Sequence, residues 1–341
     1  MGDVKTATPA MARAINDRLA LDLLLERGPL TAPQFRTLTG LSRPTVSDLI
    51  ERLMEGGLIQ VTGESGEDRR GPNARLYGLV AGRAHVAGVD LRRETIAVTI
   101  ADITGRVVGS ATRAVGGDLV DLVAATIAEA AGERAPDTVV IGAPGLVAPR
   151  DGELVSSNDV PGWRPGLVAS WRERLGVPVI LENEVNLAAI AELRTGTAHG
   201  VEDFVLMWLG DGVGASVVLG GRLRRGVSGG AGEIGFLEVD GLAFCHVVSN
   251  AVAGGIHSAE FADCVAKGAF AFVTLLDPGL VVLGGEIGHE GGDRLAGEVA
   301  ARLRELAPAP TEVRASTVEG NAVLQGAVLT ALDLIRDDVF G

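Results

Sequence analysis

The sequence predicts an α/β protein in two parts, a small helical leader with a β-hairpin and a large body in which one α/β unit occurs twice. Three observations predict it. Residues 32–58 read as a helix, a tight turn at Thr39-Gly40, and a second helix opening at Ser42-Arg43-Pro44-Thr45-Val46-Ser47. An apolar strand–turn–strand pattern occurs over 85–101 and again over 204–219. Between and after these units, helical stretches alternate with short apolar strands, the pattern of layered α/β folds.

Composition bounds the reading. The chain has 341 residues, 47% of them hydrophobic, enough for two or three domains with a large core. No apolar run reaches the roughly 18 residues needed to span a bilayer. The opening MGDVKTATPA lacks a signal-peptide core, and Asp3 after Met1-Gly2 is a poor myristoylation start, so a cytoplasmic location is expected. Two cysteines, Cys245 and Cys264, are too few for a disulfide framework or a thiolate metal site. The formal charge is −14. Residues 1–80 hold ten basic and ten acidic side chains, so the whole excess lies in the body. An acidic body resists nucleic acid, and any contact with it must come from a local patch on the neutral leader.

The leader is expected over 9–80. Ile15, Leu19, Leu23 and Leu24 form one face of a first helix, which Gly28-Pro29 ends. Thr31 caps a short second helix with Phe35 and Leu38 turned inward. Gly40 suits a left-handed turn. Ser42 caps the third helix and Pro44 fits its first turn, where a missing N–H costs nothing. Val46, Leu49, Ile50, Leu53 and Met54 make its buried stripe, leaving Arg43, Thr45, Ser47 and Asp48 at its exposed start. In a helix-turn-helix that start reads the major groove, with Arg43 donating to a guanine edge and Thr45 and Ser47 reaching bases or phosphates. A three-helix bundle for protein contact is the alternative. Strands near 58–61 and 75–79 enclose a polar loop with Arg69-Arg70-Gly71-Pro72-Asn73, a wing with a basic tip suited to the minor groove. The expected DNA-binding residues are Ser42, Arg43, Pro44, Thr45, Ser47, Arg69, Arg70 and Asn73.

The body is expected over 83–341. The strand 85–91 turns at Arg92-Arg93-Glu94 into the strand 95–101, and 204–209 turns at Gly210-Asp211-Gly212-Val213-Gly214 into 215–219. Helices near 118–132, 184–195, 290–306 and 319–337 alternate with strands at 138–142, 177–181 and 280–284. This is the layout of actin-like ATPases (the ribonuclease H-like fold), in which two phosphate hairpins clasp ATP between two lobes.

Six motifs occur in order: Gly142-Ala143-Pro144-Gly145-Leu146-Val147, Asn158 with Trp163, Glu182-Asn183-Glu184-Val185-Asn186-Leu187-Ala188, Gly210 to Gly214, Ala231-Gly232-Glu233-Ile234-Gly235, and Asp277-Pro278 through Gly284-Gly285. Each is weak alone. Together, behind a winged helix, they resemble the ROK family of repressors and sugar kinases, over nearly the whole chain. The resemblance implies a sugar-kinase fold, and against it three departures stand out. Where active members read Asp-x-Gly-x-Thr, this chain reads Asp90-Leu91-Arg92-Arg93-Glu94, and a side chain in place of that glycine obstructs the phosphate, although Arg92 could itself bind one. Glu184 stands in the position of the family's catalytic Asp, one methylene longer. The zinc motif is gone: Phe236 follows Gly235 where a His belongs, and only Cys245-His246 remains, so no zinc and no cofactor are expected.

These losses at phosphate binding, proton abstraction and the sugar pocket predict a regulator without catalysis. It is expected to bind a palindromic operator in double-stranded DNA as a homodimer or dimer of dimers, and to repress, because a bound protein blocks polymerase unaided. Asn158, Asn183, Glu184 and Glu233 are the expected contacts to a sugar-like ligand, with loop capping by Asn183 and Asn186 as the alternative. Gly210, Asp211, Gly212 and Gly214 form the remnant nucleotide loop. The competing function is a sugar or amino-sugar kinase with an appended regulatory domain. A third is a regulator with no small ligand.

Overall fold

A computed structural model describes residues 9–65, 74–155, 159–210, 212–239, 241–252, 254–307 and 309–341. The leader comprises α1 (Pro9–Arg27), β1 (Leu30–Thr31), α2 (Ala32–Thr39), α3 (Arg43–Glu55), β2 (Ile59–Glu64) and β3 (Arg75–Leu79). The strands pair in the order β1-β3-β2. Thr31 and Gln34 form a reciprocal capping box at α2: the Thr31 N–H donates to Gln34 Oε1 at 2.8 Å, and the Gln34 N–H donates to Thr31 Oγ1 at 3.4 Å. Gly40 ends α2 at φ 71°, its N–H donating to the Arg36 carbonyl. Ser42 caps α3, accepting from the Thr45 N–H.

Phe35, Val46, Leu49, Ile50 and Leu53 are buried, as the helical spacing predicts. Four expected core residues are not. Ile15 is 63% exposed, and Leu19, Leu38 and Met54 are close to 40%. Leu23 is half-buried. The buried residues of α1 are instead Ala20, Leu21 and Leu24. The first turns of α1 run past the module, so periodicity finds a stripe there with no core under it.

The first lobe of the body contains β4 (His85–Leu91), β5 (Thr95–Asp102), β6 (Val107–Ala114), α4 (Leu119–Ala131), β7 (Thr138–Ala143), α5 (Leu167–Leu175), β8 (Val179–Asn183) and α6 (Glu184–Thr195). Its sheet has the order β6-β5-β4-β7-β8. The second lobe follows with β9 (Phe204–Leu209), β10 (Val213–Leu219), β11 (Arg222–Leu223), β12 (Glu238–Val239), β13 (Leu242–Ala243), α7 (Phe244–Val252), α8 (Ala259–Leu276), β14 (Leu280–Gly284), α9 (Gly285–Leu306) and β15 (Glu312–Ala315). Its main sheet has the order β11-β10-β9-β14-β15. Both sheets therefore run third-second-first-fourth-fifth, with two antiparallel hairpins followed by two parallel strands. The duplication read from two hairpins extends to the whole topology.

α10 (Ala322–Phe340) returns to the first lobe and packs against β4, β7 and α6. Its Gly326 lies so close to Leu187 that a Cβ would collide with the Leu187 carbonyl oxygen. Its far end meets the leader, where Arg18 donates to Asp337 at 2.8 Å and its guanidinium carbon lies 5.6 Å from the Phe340 ring centroid. One buried cluster runs from Leu21, Phe35 and Leu49 in the leader through Val86, Leu332 and Phe340 in the first lobe to Leu206 and Val282 in the second. Two helix bounds differ from expectation: α9 begins at Gly285 rather than near 290, directly off β14, and is broken at Gly292 (φ 51°), while α10 runs three residues later than expected at both ends. The strand β6 and the helices α5, α7 and α8 were not assigned from sequence.

Candidate DNA-reading face and interlobe cleft

The first turn of α3 is presented by two local devices, the left-handed Gly40 and the Ser42 cap. Ser42, Arg43, Pro44 and Ser47 are exposed and Thr45 is half-buried. The Ser42 and Thr45 hydroxyls lie 2.8 Å apart, so both are engaged in the cap. Arg43 has no hydrogen-bond or ion-pair partner among the described residues. Arg52, further along α3, is instead tied to Asp17 of α1 at 2.5 and 3.3 Å, a strut that fixes α3 against α1. Sequence reasoning passed over Arg36. It is exposed on α2 and unpaired among the described residues, and in this arrangement the first helix of the pair crosses the DNA backbone. β2 and β3 form the hairpin of the expected wing, closed by the Ser65 N–H donating to the Ala74 carbonyl at 2.8 Å. Arg69, Arg70 and Asn73 lie outside the described residues.

In the body, the carboxyl ends of β4, β8, β9 and β14 converge on one cleft. Asp90 is buried near the end of β4. Its Oδ2 accepts from Arg92 Nε at 2.9 Å and from Asn321 Nδ2 at 2.7 Å, while Oδ1 has no partner among the described residues. Arg92 also reaches across to the second lobe, donating from Nη1 to Glu286 Oε1 at 3.0 Å. A cavity of about 210 Å³ adjoins this pair, lined in part by Trp208, Gly285, His289, Ser316 and Val318.

Glu184 is the first residue of α6 and only partly exposed to solvent. Burial pushes its carboxyl up to about 7, the nearby Asp90 and Glu233 carboxylates add to that, and the Arg92 charge opposes it. Burial alone raises Glu233, which precedes a short 3-10 turn. Asn183 is committed to the fold: its Oδ1 caps α6 by accepting from the N–H groups of Val185 and Asn186, and its Nδ2 donates to the Gly145 carbonyl and to Glu184. The capping alternative therefore describes Asn183. It does not describe Asn186, whose Nδ2 donates to Glu182 at 2.9 Å and whose Oδ1 accepts from Ser216 of the second lobe at 2.9 Å. The other Glu182 oxygen accepts from Arg225 at 2.6 Å. Glu182, Asn186, Ser216 and Arg225 thus join the lobes through a largely buried polar network that sequence reasoning missed, because the neighbouring Asn-Glu pair carried the motif.

The remnant loop keeps its turn, with the Gly210 N–H donating to the Gly212 carbonyl at 3.1 Å, and Gly214 packs against Val185 of the first lobe. Gly232 (φ 94°) sits where a Cβ would strike the Ala215 carbonyl, which explains the glycine in its motif. Asp211 and Asn158 lie outside the described residues. Phe236 is 84% exposed, and Cys245 and His246 lie side by side at the start of α7.

A family model described as ROK family matches residues 86–255, and another, described as MarR family, matches residues 15–71. The chain carries a ROK-family domain behind a MarR-type winged helix. A relative named xylose repressor from Bacillus subtilis (strain 168) is 26% identical over 247 residues, which cover 69% of this chain and 63% of that protein. The chain thus matches less than two thirds of that relative's length. The crystal structure of a ROK family transcriptional regulator, described as a homolog of the E. coli MLC protein, superimposes with a TM-score of 0.74 at 18% identity, covering 96% of this chain and 99% of that one. A ROK hexokinase from Thermus thermophilus gives 0.63 at 25% identity, covering 74% of this chain and 99% of that one. The first of these structures spans the leader as well as the body. The second matches about the share of the chain that the ROK body occupies. In the ROK body, three carboxylates, Asp90, Glu184 and Glu233, lie close enough for their charges to act on one another, with Asp90 buried. Among the described residues no helix is long and apolar enough to cross a membrane.

Proposed function

We propose that this chain is a sequence-specific DNA-binding transcriptional regulator, a repressor. In this reading residues 9–80 are the DNA-binding domain and 83–341 the dimerising ROK body. The observation that carries it is the first turn of α3. Its cap and turn are complete, and Arg43 stands exposed with no partner among the described residues, as a base-reading side chain must. The repressor name of the B. subtilis relative supports the sign of control. Arg43, Ser47 and the hydroxyl pair of Ser42 and Thr45 meet one half-site, beside Pro44. Arg36 and the wing residues Arg69, Arg70 and Asn73 grip the flanking backbone and minor groove. A homodimer, or a dimer of dimers, places two such faces on a palindrome with half-sites about one helical turn apart. The protein works in the cytoplasm, where its DNA lies. The test is fluorescence anisotropy with duplexes from the chain's own promoter region at low salt. Binding that a random duplex fails to compete away is the expected result, and equal affinity for both would contradict the reading.

The ROK body binds a sugar-like polyol rather than phosphorylating one. Glu184 and Glu233, both only partly exposed, contribute the acceptors. A second reading, kinase activity, is favoured by one observation: a carboxyl raised to about 7 is well poised to take a hydroxyl proton. Against it stands the Arg92 side chain in the first phosphate loop, paired with Glu286. ATP consumption with a panel of hexoses separates the two. The regulator reading predicts none, and turnover abolished by Glu184→Ala would establish the kinase.

A further inference from the structure

In a fold of this kind a nucleotide's phosphate chain is held between two hairpins, one from each lobe. Here the space between them contains side chains of the protein itself. Arg92, at the turn after β4, donates to Glu286 of α9 across the cleft. The same guanidinium is anchored from behind by the buried Asp90, which Asn321 holds in turn. On the other side the backbone that carries Glu286 is fixed, while its side chain is 59% exposed. Glu286 follows Gly285 (φ 79°), whose backbone packs so tightly on Leu209 that no Cβ fits. Its second oxygen, Oε2, lies against the backbone of the second lobe's own hairpin, where a Cβ on Gly210 would collide with it. One carboxylate therefore touches both hairpins: the first through Arg92, the second through Gly210.

We propose that Arg92 and Glu286 form an internal latch, in which the Glu286 carboxylate occupies the phosphate position between the hairpins and ties the lobes together, so that the cleft accepts a polyphosphate only when Glu286 withdraws. An exposed ion pair between two free side chains is worth little, because both must be ordered to form it. Here the cost is reduced at the Arg92 end, since Asp90 already fixes that guanidinium, and the Gly285 turn fixes the backbone from which Glu286 reaches it. The glycine lost from the first hairpin and the glutamate above the second are then two halves of one device. The chain has kept the cation a phosphate would need and supplied its own anion. This latch rests on the geometry of the cleft and stands independently of the DNA-binding reading.

The test is calorimetric titration of inorganic tripolyphosphate, with and without Mg²⁺, into the full-length protein and three variants. Glu286→Ala, which clears the hairpins and frees Arg92, should bind at least tenfold more tightly than the parent chain. Glu286→Gln keeps the volume, removes the charge, and should fall between the two; it also serves if the alanine variant fails to fold. Arg92→Ala removes the cation and should gain nothing. Affinities within twofold of the parent for both Glu286 variants would overturn the latch. So would an equal gain in Arg92→Ala. A second measurement is the interlobe distance between spin labels at Ala125→Cys and Ala301→Cys, with Cys245 and Cys264 replaced by Ser. It should lengthen or broaden in Glu286→Ala, and an unchanged distribution counts against the tie between lobes. Specific DNA binding by the parent protein, measured on the same preparation, decides the regulator reading separately.

Discussion

At the scale of single residues, DNA reading depends on which charged side chains are free and which are spent. Arg43 is free among the described residues and Arg52 is spent on Asp17, although both lie on α3. Arg43→Ala should therefore cost about 1–3 kcal/mol on a specific duplex and relax base preference at one position of the half-site. Arg36→Ala should weaken specific and random duplexes alike. Competition titrations with point-substituted duplexes distinguish the two patterns. Glu184 gives a prediction in pH. Its carboxyl is raised from 4.5 to about 7, so the fold favours its protonated form. That contribution to stability is complete below the unfolded value and is lost as pH rises through about 7. Glu184→Gln, which stays neutral, should be more stable than the parent at pH 8 and should narrow the difference at pH 5. Denaturant unfolding at the two pH values measures this, and a variant equally destabilised at both would show that burial is not what shifts the group.

At the scale of elements, α10 holds together parts that are far apart in sequence. Asn321 caps it beside Asp90 in the cleft, and its last turns meet Arg18 of the leader through Asp337 and Phe340. Its seat on α6 depends on Gly326, which lets the helices approach within backbone contact at Leu187. Gly326→Ala should push the helices apart and lower stability by about 1–3 kcal/mol, read as a reduced midpoint in thermal unfolding. An unchanged midpoint would mean that α10 is not locked to the first lobe. Much of this element structure was legible in the chain. Gly40, Ser42 and Thr31 act locally, so the turn and caps they specify could be read from a few neighbours. Short apolar runs marked β4, β5, β7, β9 and β14 for the same reason. What was not legible depends on contacts distant in sequence. The Ile15–Leu19 stripe has the period of a buried face, yet α1 passes beyond its core there. The start of α9 was hidden by glycines 288, 291 and 292, which suit a turn directly off β14 as well as they suit a loop. In the site, Glu184 was found because it sits in a recognisable motif. Glu182, Ser216 and Arg225 were missed because only the fold brings them together. The Arg92–Glu286 pair joins residues 194 positions apart, and nothing near either one marks the other.

At the scale of the whole molecule, the charge is divided: the leader is neutral and the body carries the full −14. Binding to DNA must then run through the leader alone, with the body repelled by the phosphates and held off the duplex. The leader packs through α1 on α10, which is seated on the first lobe, so the reading face travels with that lobe. Any change in the angle between lobes then moves the second lobe relative to the DNA, and a ligand that favours one angle shifts operator affinity by its preference for that state. The measurement that bears most directly on this picture is selection of fragmented genomic DNA by the purified full-length protein, followed by sequencing of what is retained. The account predicts a small set of fragments sharing an inverted repeat, with half-sites about one helical turn or a multiple apart, and predicts that Arg43→Ala loses that set. Retained fragments with no shared repeat, or the same set recovered by Arg43→Ala, would contradict it.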